Sequence, residues 1–276
     1  YGADDYDVIA GDNADIQRTA TWALNTYNGG KQRAVSLWDI ANVVQAAGNG
    51  TYGNDALYGD AQDDVLYGGG GNDAIWGGSG DDIIQGNDGV DVIRGEGGQD
   101  DIAGGTGRTV SNSAASAVDG RKDANDIIYG GDASGGITSG DYDVIDGDNA
   151  DIQRLLTGGG AWKTYTFLSS SVARTVTLYD VATVASAAGP GTYGDDFVYG
   201  EAQSDVIYGG GGNDILRGYH VVGTAGAAND GDDFIFGNDG NDTIYGDVGQ
   251  DDLVGGTGRT TSDNDNATTG DDSSAQ

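Results

Sequence analysis

The chain has 276 residues, of which 53 are Gly and one is Pro, with no Cys, no Met and a formal net charge of −33. That charge excludes a nucleic-acid partner, the lack of Cys excludes a disulfide framework, and no apolar run is long enough to span a membrane. The acid is nearly all Asp: of 45 acidic residues only Glu96 and Glu201 are Glu, leaving 43 Asp, so the charge belongs to turns and not to the mixed acidic surface of a salt-adapted protein.

Along the chain, the first unit of turn and strand surrounds Asp7 and Ile9. Gly11 to Ile16 follows as a degenerate turn, with Ile16 at the place that Asp holds elsewhere. Residues 18–47 break the pattern. Thr19 to Leu24 and Ala34 to Ile40 alternate on either side of Asn28-Gly29-Gly30-Lys31, which predicts an extruded β-hairpin, and Ala41 to Ala47 fits a short helical turn.

Gly50 to Ala103 is then a strict repeat of six nine-residue units: GTYGNDALY, GDAQDDVLY, GGGGNDAIW, GGSGDDIIQ, GNDGVDVIR and GEGGQDDIA. Gly opens each, Asp55, Asp64, Asp73, Asp82, Asp91 and Asp100 hold the sixth place, and Leu57, Leu66, Ile75, Ile84, Ile93 and Ile102 hold the eighth. The glycine-rich half suits a turn and the last three residues a short strand with one inward apolar side chain. Two units make a coil of 18 residues, so equivalent strands stack in parallel about 4.8 Å apart and the turns form two columns. Carboxylates and main-chain carbonyls between stacked turns form an all-oxygen environment suited to a hard cation such as calcium. The single His220 lies in a poorly patterned insertion, so no soft-metal ligand set competes.

Beyond the run, Gly104-Gly105-Thr106-Gly107-Arg108-Thr109 keeps the turn glycines with Thr109 in place of the carboxylate, and Gly255 to Thr260 repeats that substitution. Residues 110–120 read as polar loop before the unit resumes at Asp126 and again at Asp143. A larger period is superimposed. Asp5 to Arg18 returns as Asp141 to Arg154, offset by 136, and the stretch from Gly50 returns from Gly191, offset by 141, giving modules 1–136 and 137–276. The second module repeats the plan with Asp196, Asp205, Asp214, Asp233, Asp242 and Asp251, with insertions at about 155–189 and 218–227. Residues 261–276 read as loop. With neither a leader nor a cap, the chain is expected to be a segment of a longer protein.

The unit Gly-Gly-x-Gly-x-Asp-x-apolar-x resembles the calcium-binding nonapeptide of the RTX, or haemolysin-type, family. The resemblance implies an all-β parallel β-roll, or β-solenoid, with extruded β-hairpin insertions. In that family two turns one coil apart share each ion, each turn giving its sixth-place Asp and the carbonyls of its second and fourth places. Carried over, Asp55 with Thr51 and Gly53 faces Asp73 with Gly69 and Gly71, and Asp64 with Asp60 and Gln62 faces Asp82 with Gly78 and Gly80. Asp91 brings Asn87 and Gly89, Asp100 brings Glu96 and Gly98, and Asp91 would next meet Gly105, Gly107 and Thr109. In the second module Asp196 goes with Thr192 and Gly194, Asp205 with Glu201 and Gln203, and Asp214 with Gly210 and Gly212. Asp233 goes with Asn229 and Gly231, Asp242 with Asn238 and Gly240, and Asp251 with Asp247 and Gly249, followed by the turn of Gly256 and Gly258. Asp7, Asp126 and Asp143 are further sixth-place carboxylates, and Gln62 and Gln203 depart from Gly at the fourth place. Pairs with both carboxylates are 55/73, 73/91, 64/82, 82/100, 196/214, 205/233, 214/242 and 233/251, which implies about eight ions bringing +16 against −33.

Catalytic motifs are missing: the sequence has no His-Glu-x-x-His, no Gly-x-Ser-x-Gly, and poly-glycine runs without the Lys of a phosphate loop. The ninth place is aromatic at Tyr58, Tyr67, Trp76, Tyr129, Tyr199, Tyr208, Phe236 and Tyr245, which predicts cross-strand stacking and, as the sharper reading, a platform for a glycan or cell-surface ligand. The sequence thus points to a calcium-stabilised structural or adhesive segment of a secreted adhesin, surface-layer or filament protein. Further modules or subunits would join it end to end, and the resemblance implies export by a type I system. The alternative is a calcium-triggered secretion and folding module of an exported enzyme or toxin.

Overall fold

The computed structural model describes residues 2, 6–12, 14–18, 33–37, 52–107, 122–131, 142–154, 174–179, 193–219, 231–256 and 261–262. Among them every regular element is a strand. The first strands are β1 (Val8–Ala10), β2 (Ala14–Arg18), β3 (Arg33–Leu37), β4 (Ala56–Ala61), β5 (Val65–Gly70), β6 (Ala74–Ser79), β7 (Ile83–Asp88), β8 (Val92–Gly97) and β9 (Asp101–Ala103). After them come β10 (Ile127–Gly131), β11 (Val144–Asp146), β12 (Ala150–Arg154), β13 (Arg174–Leu178), β14 (Phe197–Tyr199), β15 (Val206–Tyr208) and β16 (Gly211–Gly212). The last are β17 (Ile215–Arg217), β18 (Phe234–Phe236), β19 (Asp239–Gly240), β20 (Thr243–Tyr245), β21 (Asp252–Val254) and β22 (Thr261–Ser262).

Successive units alternate between two parallel sheets. One runs β1-β5-β7-β9-β11-β15-β18-β21-β22 and the other β20-β17-β14-β10-β8-β6-β4. Only β22 in the first is antiparallel. The eighth-place residues face each other between the sheets in one core cluster from Leu57 to Leu253, and Ile75, Ile84, Ile93, Ile102, Ile128, Ile145, Ile207 and Ile235 are fully buried. Each such side chain contributes about 1.5–3 kcal/mol by leaving water. The sheets cross from the first sequence copy to the second through β8-β10-β14 and β9-β11-β15.

The interruptions in the repeat all fall within turns. Gly11 donates its N–H to Tyr67 O at 2.9 Å, as Gly147 does to Tyr208 O at 3.0 Å, so both open a unit as Gly200 and Gly209 do. The strands that follow these glycines in the two main sheets are β4 and β14, entered at Asp55 and Asp196. Gly104 likewise precedes β10, entered at Asp126; Gly130 precedes β11, entered at Asp143; and Gly218 precedes β18, entered at Asp233. Of the 218–227 insertion, residues 220–227 lie outside the described residues, as do 228–230.

Two insertions carry hairpins. β2 pairs antiparallel with β3 from Ala14↔Leu37 to Arg18↔Arg33, and β12 pairs with β13 from Ala150↔Leu178 to Arg154↔Arg174, the same register twice. The first described strand of the hairpin is 14–18, so within the stretch 11–16 read as a degenerate turn, residues 14–16 are strand; the alternating Ala-Asp-Ile-Gln-Arg suits an edge pairing better than a turn. Residues 19–24 and 161–167 and the predicted helical turn at 41–47 lie outside the described residues. Val35 packs with Val65 and Tyr67, and Ile152 and Val176 pack with Val144, Val206 and Tyr208, so both hairpins fold back on the outer face of the larger sheet.

On the smaller sheet the ninth-place side chains form a ladder. Tyr58 stacks on Trp76 at 4.5 Å between centroids, Tyr129 stacks on Tyr199 at 5.1 Å, Arg94 lies over Trp76 and Tyr129, and Arg217 lies over Tyr245. Stacking was the expectation; the arginines as rungs between aromatics were not anticipated, and their cation–π contacts continue the ladder where an aromatic is missing.

Candidate calcium-binding turns

The turn conformation comes from the second and fourth places. Gly78 and Gly80 have φ of 112° and 138°, and the residues there that are not Gly keep the same sign: Asp60 at 73°, Gln62 at 77°, Asn87 at 79°, Glu96 at 75°, Glu201 at 79°, Gln203 at 79°, Asn238 at 69° and Asp247 at 66°. Each non-glycine residue in that region costs on the order of 1 kcal/mol or more. The departure at Gln62 and Gln203 therefore leaves the turn shape intact. Positive φ at alternate places turns the carbonyls out of the strand direction, so Asp60 O and Gln62 O fill the space that a Cβ would take at Gly78 and Gly80 one coil on. Gly71 O aims in the same way at Gly89, Gly80 O at Gly98, Gly194 O at Gly212, Gly212 O at Gly240 and Gly231 O at Gly249.

Between stacked turns the sixth-place carboxylates form two unbroken columns. In one, Asp55 N–H donates to Asp73 Oδ1 at 2.7 Å, and the same bond links Asp73 to Asp91, Asp91 to Asp126, Asp126 to Asp196, Asp196 to Asp214 and Asp214 to Asp242. In the other it runs from Asp7 through Asp64, Asp82, Asp100, Asp143, Asp205 and Asp233 to Asp251. Asp91 therefore meets Asp126; Thr109 lies outside the described residues. Gly105 and Gly107 do lie in the next turn of that column, but the polar loop is inserted after Gly107 and the sixth place is supplied on re-entry.

Each column bond uses only one oxygen of each carboxylate. Oδ2 of Asp64, Asp73, Asp82, Asp91, Asp126, Asp196, Asp214 and Asp242 is buried with no hydrogen-bond partner among the described residues. A buried ionised oxygen left so costs well over the 1–3 kcal/mol of a neutral group. Desolvation accordingly pushes the carboxyls of Asp64, Asp73 and Asp196 up to about 7, those of Asp82 and Asp91 to about 8, and that of Asp214 to about 10, with like-charged neighbours adding to the rise. Asp126 is raised well above the ordinary range for the same reason. Each orphaned Oδ2 lies at the opening glycine of its own turn with the opening glycine's carbonyl of the next coil, as Asp64 Oδ2 and Gly77 O do at Gly59. Carboxylate and carbonyl oxygens in stacked turns are a donor set for a hard dication, which would supply the missing partner to each Oδ2 and cancel the repulsion. No three acidic or imidazole side chains converge among the described residues, so a site here draws on two carboxylates plus main-chain oxygen.

Three acids that the repeat pattern does not single out also enter the turns: Asp12, partly buried, and Asp148 and Asp123, both buried. Asp12 accepts from Gly53 N–H at 3.1 Å and Gly70 N–H at 2.7 Å, and Asp148 accepts from Gly194 N–H at 2.7 Å and Gly211 N–H at 2.5 Å. They follow Gly11 and Gly147, which open those turns; Thr51 and Thr192, to which the sequence pattern assigns the second place, lie outside the described residues, as do Asn229 and Gly258. Asp123 is buried beside Gly105 in the re-entering chain. The identical Gly-Asp-Asn at 11–13 and 147–149 was the available signal for the first two.

A family model for the RTX calcium-binding nonapeptide repeat matches the chain in four copies, over residues 49–84, 76–110, 190–219 and 228–261. No curated protein matches it.

Proposed function

We propose that this chain, which carries RTX calcium-binding nonapeptide repeats, is a calcium-stabilised structural or adhesive segment of a secreted repeat protein of the adhesin, surface-layer or filament type, exported by a type I system. The observation that supports it most is the pair of unbroken carboxylate columns. They pass through every inserted loop, as a load-transmitting rod requires and a short folding tag does not. Same-column pairs 7/64, 91/126, 126/196, 100/143 and 143/205 join the eight found by sequence, so the number of ions exceeds eight. Without them the ionised turns repel, so calcium binding and folding are coupled. Circular dichroism in excess chelator and in millimolar calcium tests this: β signal and a raised melting point with calcium are expected, and identical traces would refute it.

A further inference from the structure

Three interrupted turns, opened by Gly11, Gly104 and Gly147, lie in the column of Asp55, Asp126 and Asp196, and each has an acid at the break. Asp148 accepts from Gly194 N–H in the returning chain and from Gly211 N–H in the next coil, and Asp12 does the same with Gly53 and Gly70, so both oxygens of each meet an amide. At the middle break the acid is Asp123, which is 4 % exposed. Its Oδ1 accepts from Ala124 N–H at 2.8 Å, but its Oδ2 is buried with no hydrogen-bond partner among the described residues. An ionised oxygen left in that state is costly.

That oxygen has other acceptors for neighbours. Asp123 Oδ2 lies where a Cβ would stand on Gly105, Asn149 Oδ1 of the next coil lies there too, and Gly105 N–H donates to the Asp148 carbonyl at 3.0 Å. Three oxygens from two coils therefore converge on one glycine. Asn149 Oδ1 accepts from Thr106 N–H at 2.6 Å and, as an amide oxygen, keeps a second lone pair. In a regular turn the second place is filled differently: Gly78 has φ of 112° and meets the Asp60 backbone, whereas φ of Gly105 lies outside the left-handed region. Burial first, and then the charges of Asp126, Asp148 and Asp196, push the Asp123 carboxyl well above its ordinary range, with no cation among the groups that act on it.

Asn149 is held toward Gly105 by the second hairpin. Its carbonyl accepts from Tyr179 N–H at 3.0 Å, and β12 starts at the next residue. At the hairpin's other end Arg154 and Arg174, opposite one another in register, both close on Asp101: Arg154 Nε donates to Asp101 Oδ2 at 2.7 Å and Arg174 Nε to Asp101 Oδ1 at 2.8 Å. Arg154 also donates to Asp81 Oδ2 at 3.2 Å, and both guanidiniums reach the Gln99 carbonyl. All three side chains of this arginine grip are buried, and it ties the hairpin to β9.

We propose that the middle break holds a calcium ion of its own construction, outside the sixth-place pairs, bound by Asp123 Oδ2, Asn149 Oδ1 and the Asp148 carbonyl, with water completing the shell. An all-oxygen set that includes a carboxylate selects a hard dication. The ion ties the point where the chain leaves the roll, at Gly105, to the point where it has returned, at Asp123, and ties both to the start of the hairpin in the second sequence copy. Side-chain oxygen thereby does at an interrupted turn what main-chain carbonyls do at a regular one. The identity of the ion rests on the calcium reading above.

The test is a count of bound ions by native mass spectrometry of the full chain in calcium, with circular dichroism on the same samples. Asp123→Asn is expected to keep the β signal, because the new amide can donate to Asn149 Oδ1 where the ion had bridged the two, and to bind one ion fewer than the wild-type chain. Gly105→Ala changes no charge and sets a methyl group where the two oxygens lie, both of them ends of side chains that can move aside. It should also lose one ion. A wild-type count kept by either folded variant, or loss of the β signal by Asp123→Asn in calcium, would overturn the site. A wild-type chain that binds no calcium would instead overturn the reading on which the site rests.

Discussion

Two regions of the roll hold the same geometry by different means. From Gly59 to Asp100 the units follow each other without a break, and each turn is placed by the residue before it. Between Gly104 and Asp196 three consecutive turns are opened by insertions, one of them carrying a hairpin, yet Asp91, Asp126 and Asp196 are linked by the same 2.7 Å bonds as Asp73 and Asp91. Chain continuity is therefore not what sets the register. It is set by the parallel ladder, the stacked eighth-place residues and the carboxylate column, whose combined contacts offset a loop-closure cost that grows only slowly with loop length.

That comparison can be broken most severely at the charge cluster spanning the interrupted coils. Asp101→Ala should leave Arg154 and Arg174 buried without their carboxylate and cost about 3–5 kcal/mol in denaturant unfolding with calcium present. A loss below 1 kcal/mol would mean that the hairpin contributes little to holding those coils. Next, Ile84→Ala in the uninterrupted run and Ile128→Ala in the interrupted one should each cost about 2–5 kcal/mol, since both are fully buried in one core. A much smaller cost at Ile128 would show the interrupted coils to be loosely packed.

A pH titration sharpens the comparison without mutation. Burial holds the folded-state values of Asp64, Asp73 and Asp196 near 7 and of Asp82 and Asp91 near 8, against an ordinary 3.8, so the calcium-free fold binds protons that the unfolded chain has released. Its stability must therefore fall as pH rises from about 4 through about 8. In saturating calcium the ligands are deprotonated and the trend should reverse. Thermal melts in chelator at pH 5 and pH 8 check this, and a higher melting point at pH 8 would contradict it. The smallest expected effect is at the backbone: Gln62→Gly relieves a positive φ and should stabilise by up to about 1 kcal/mol, read from the same melts.

The uninterrupted units were legible because spacing, Asp and apolar residue repeat together, and the fold class followed from them. What sequence spacing could not show was where an interrupted unit resumes. Counting nine residues on from Asp100 lands on Thr109, whereas the carboxylate that follows Asp91 in its column is Asp126, because a turn tolerates an insertion that a strand does not. The same counting made Gly11 to Ile16 a degenerate turn, although Ala14 to Ile16 start a hairpin strand, and it passed over Asp12 and Asp148, which accept from the turn amides of Gly53 and Gly70 and of Gly194 and Gly211. The arginine grip was invisible for a different reason: Arg154 and Asp101 are far apart in sequence and meet only after the sheet is stacked.

Calcium stoichiometry by equilibrium dialysis tests most directly whether the columns run through the interruptions as working sites. The wild-type chain should bind more than eight ions, and Asp126→Ala should lower the number bound as much as Asp82→Ala does, because each sits between two same-column neighbours. A stoichiometry left unchanged by Asp126→Ala would contradict the account.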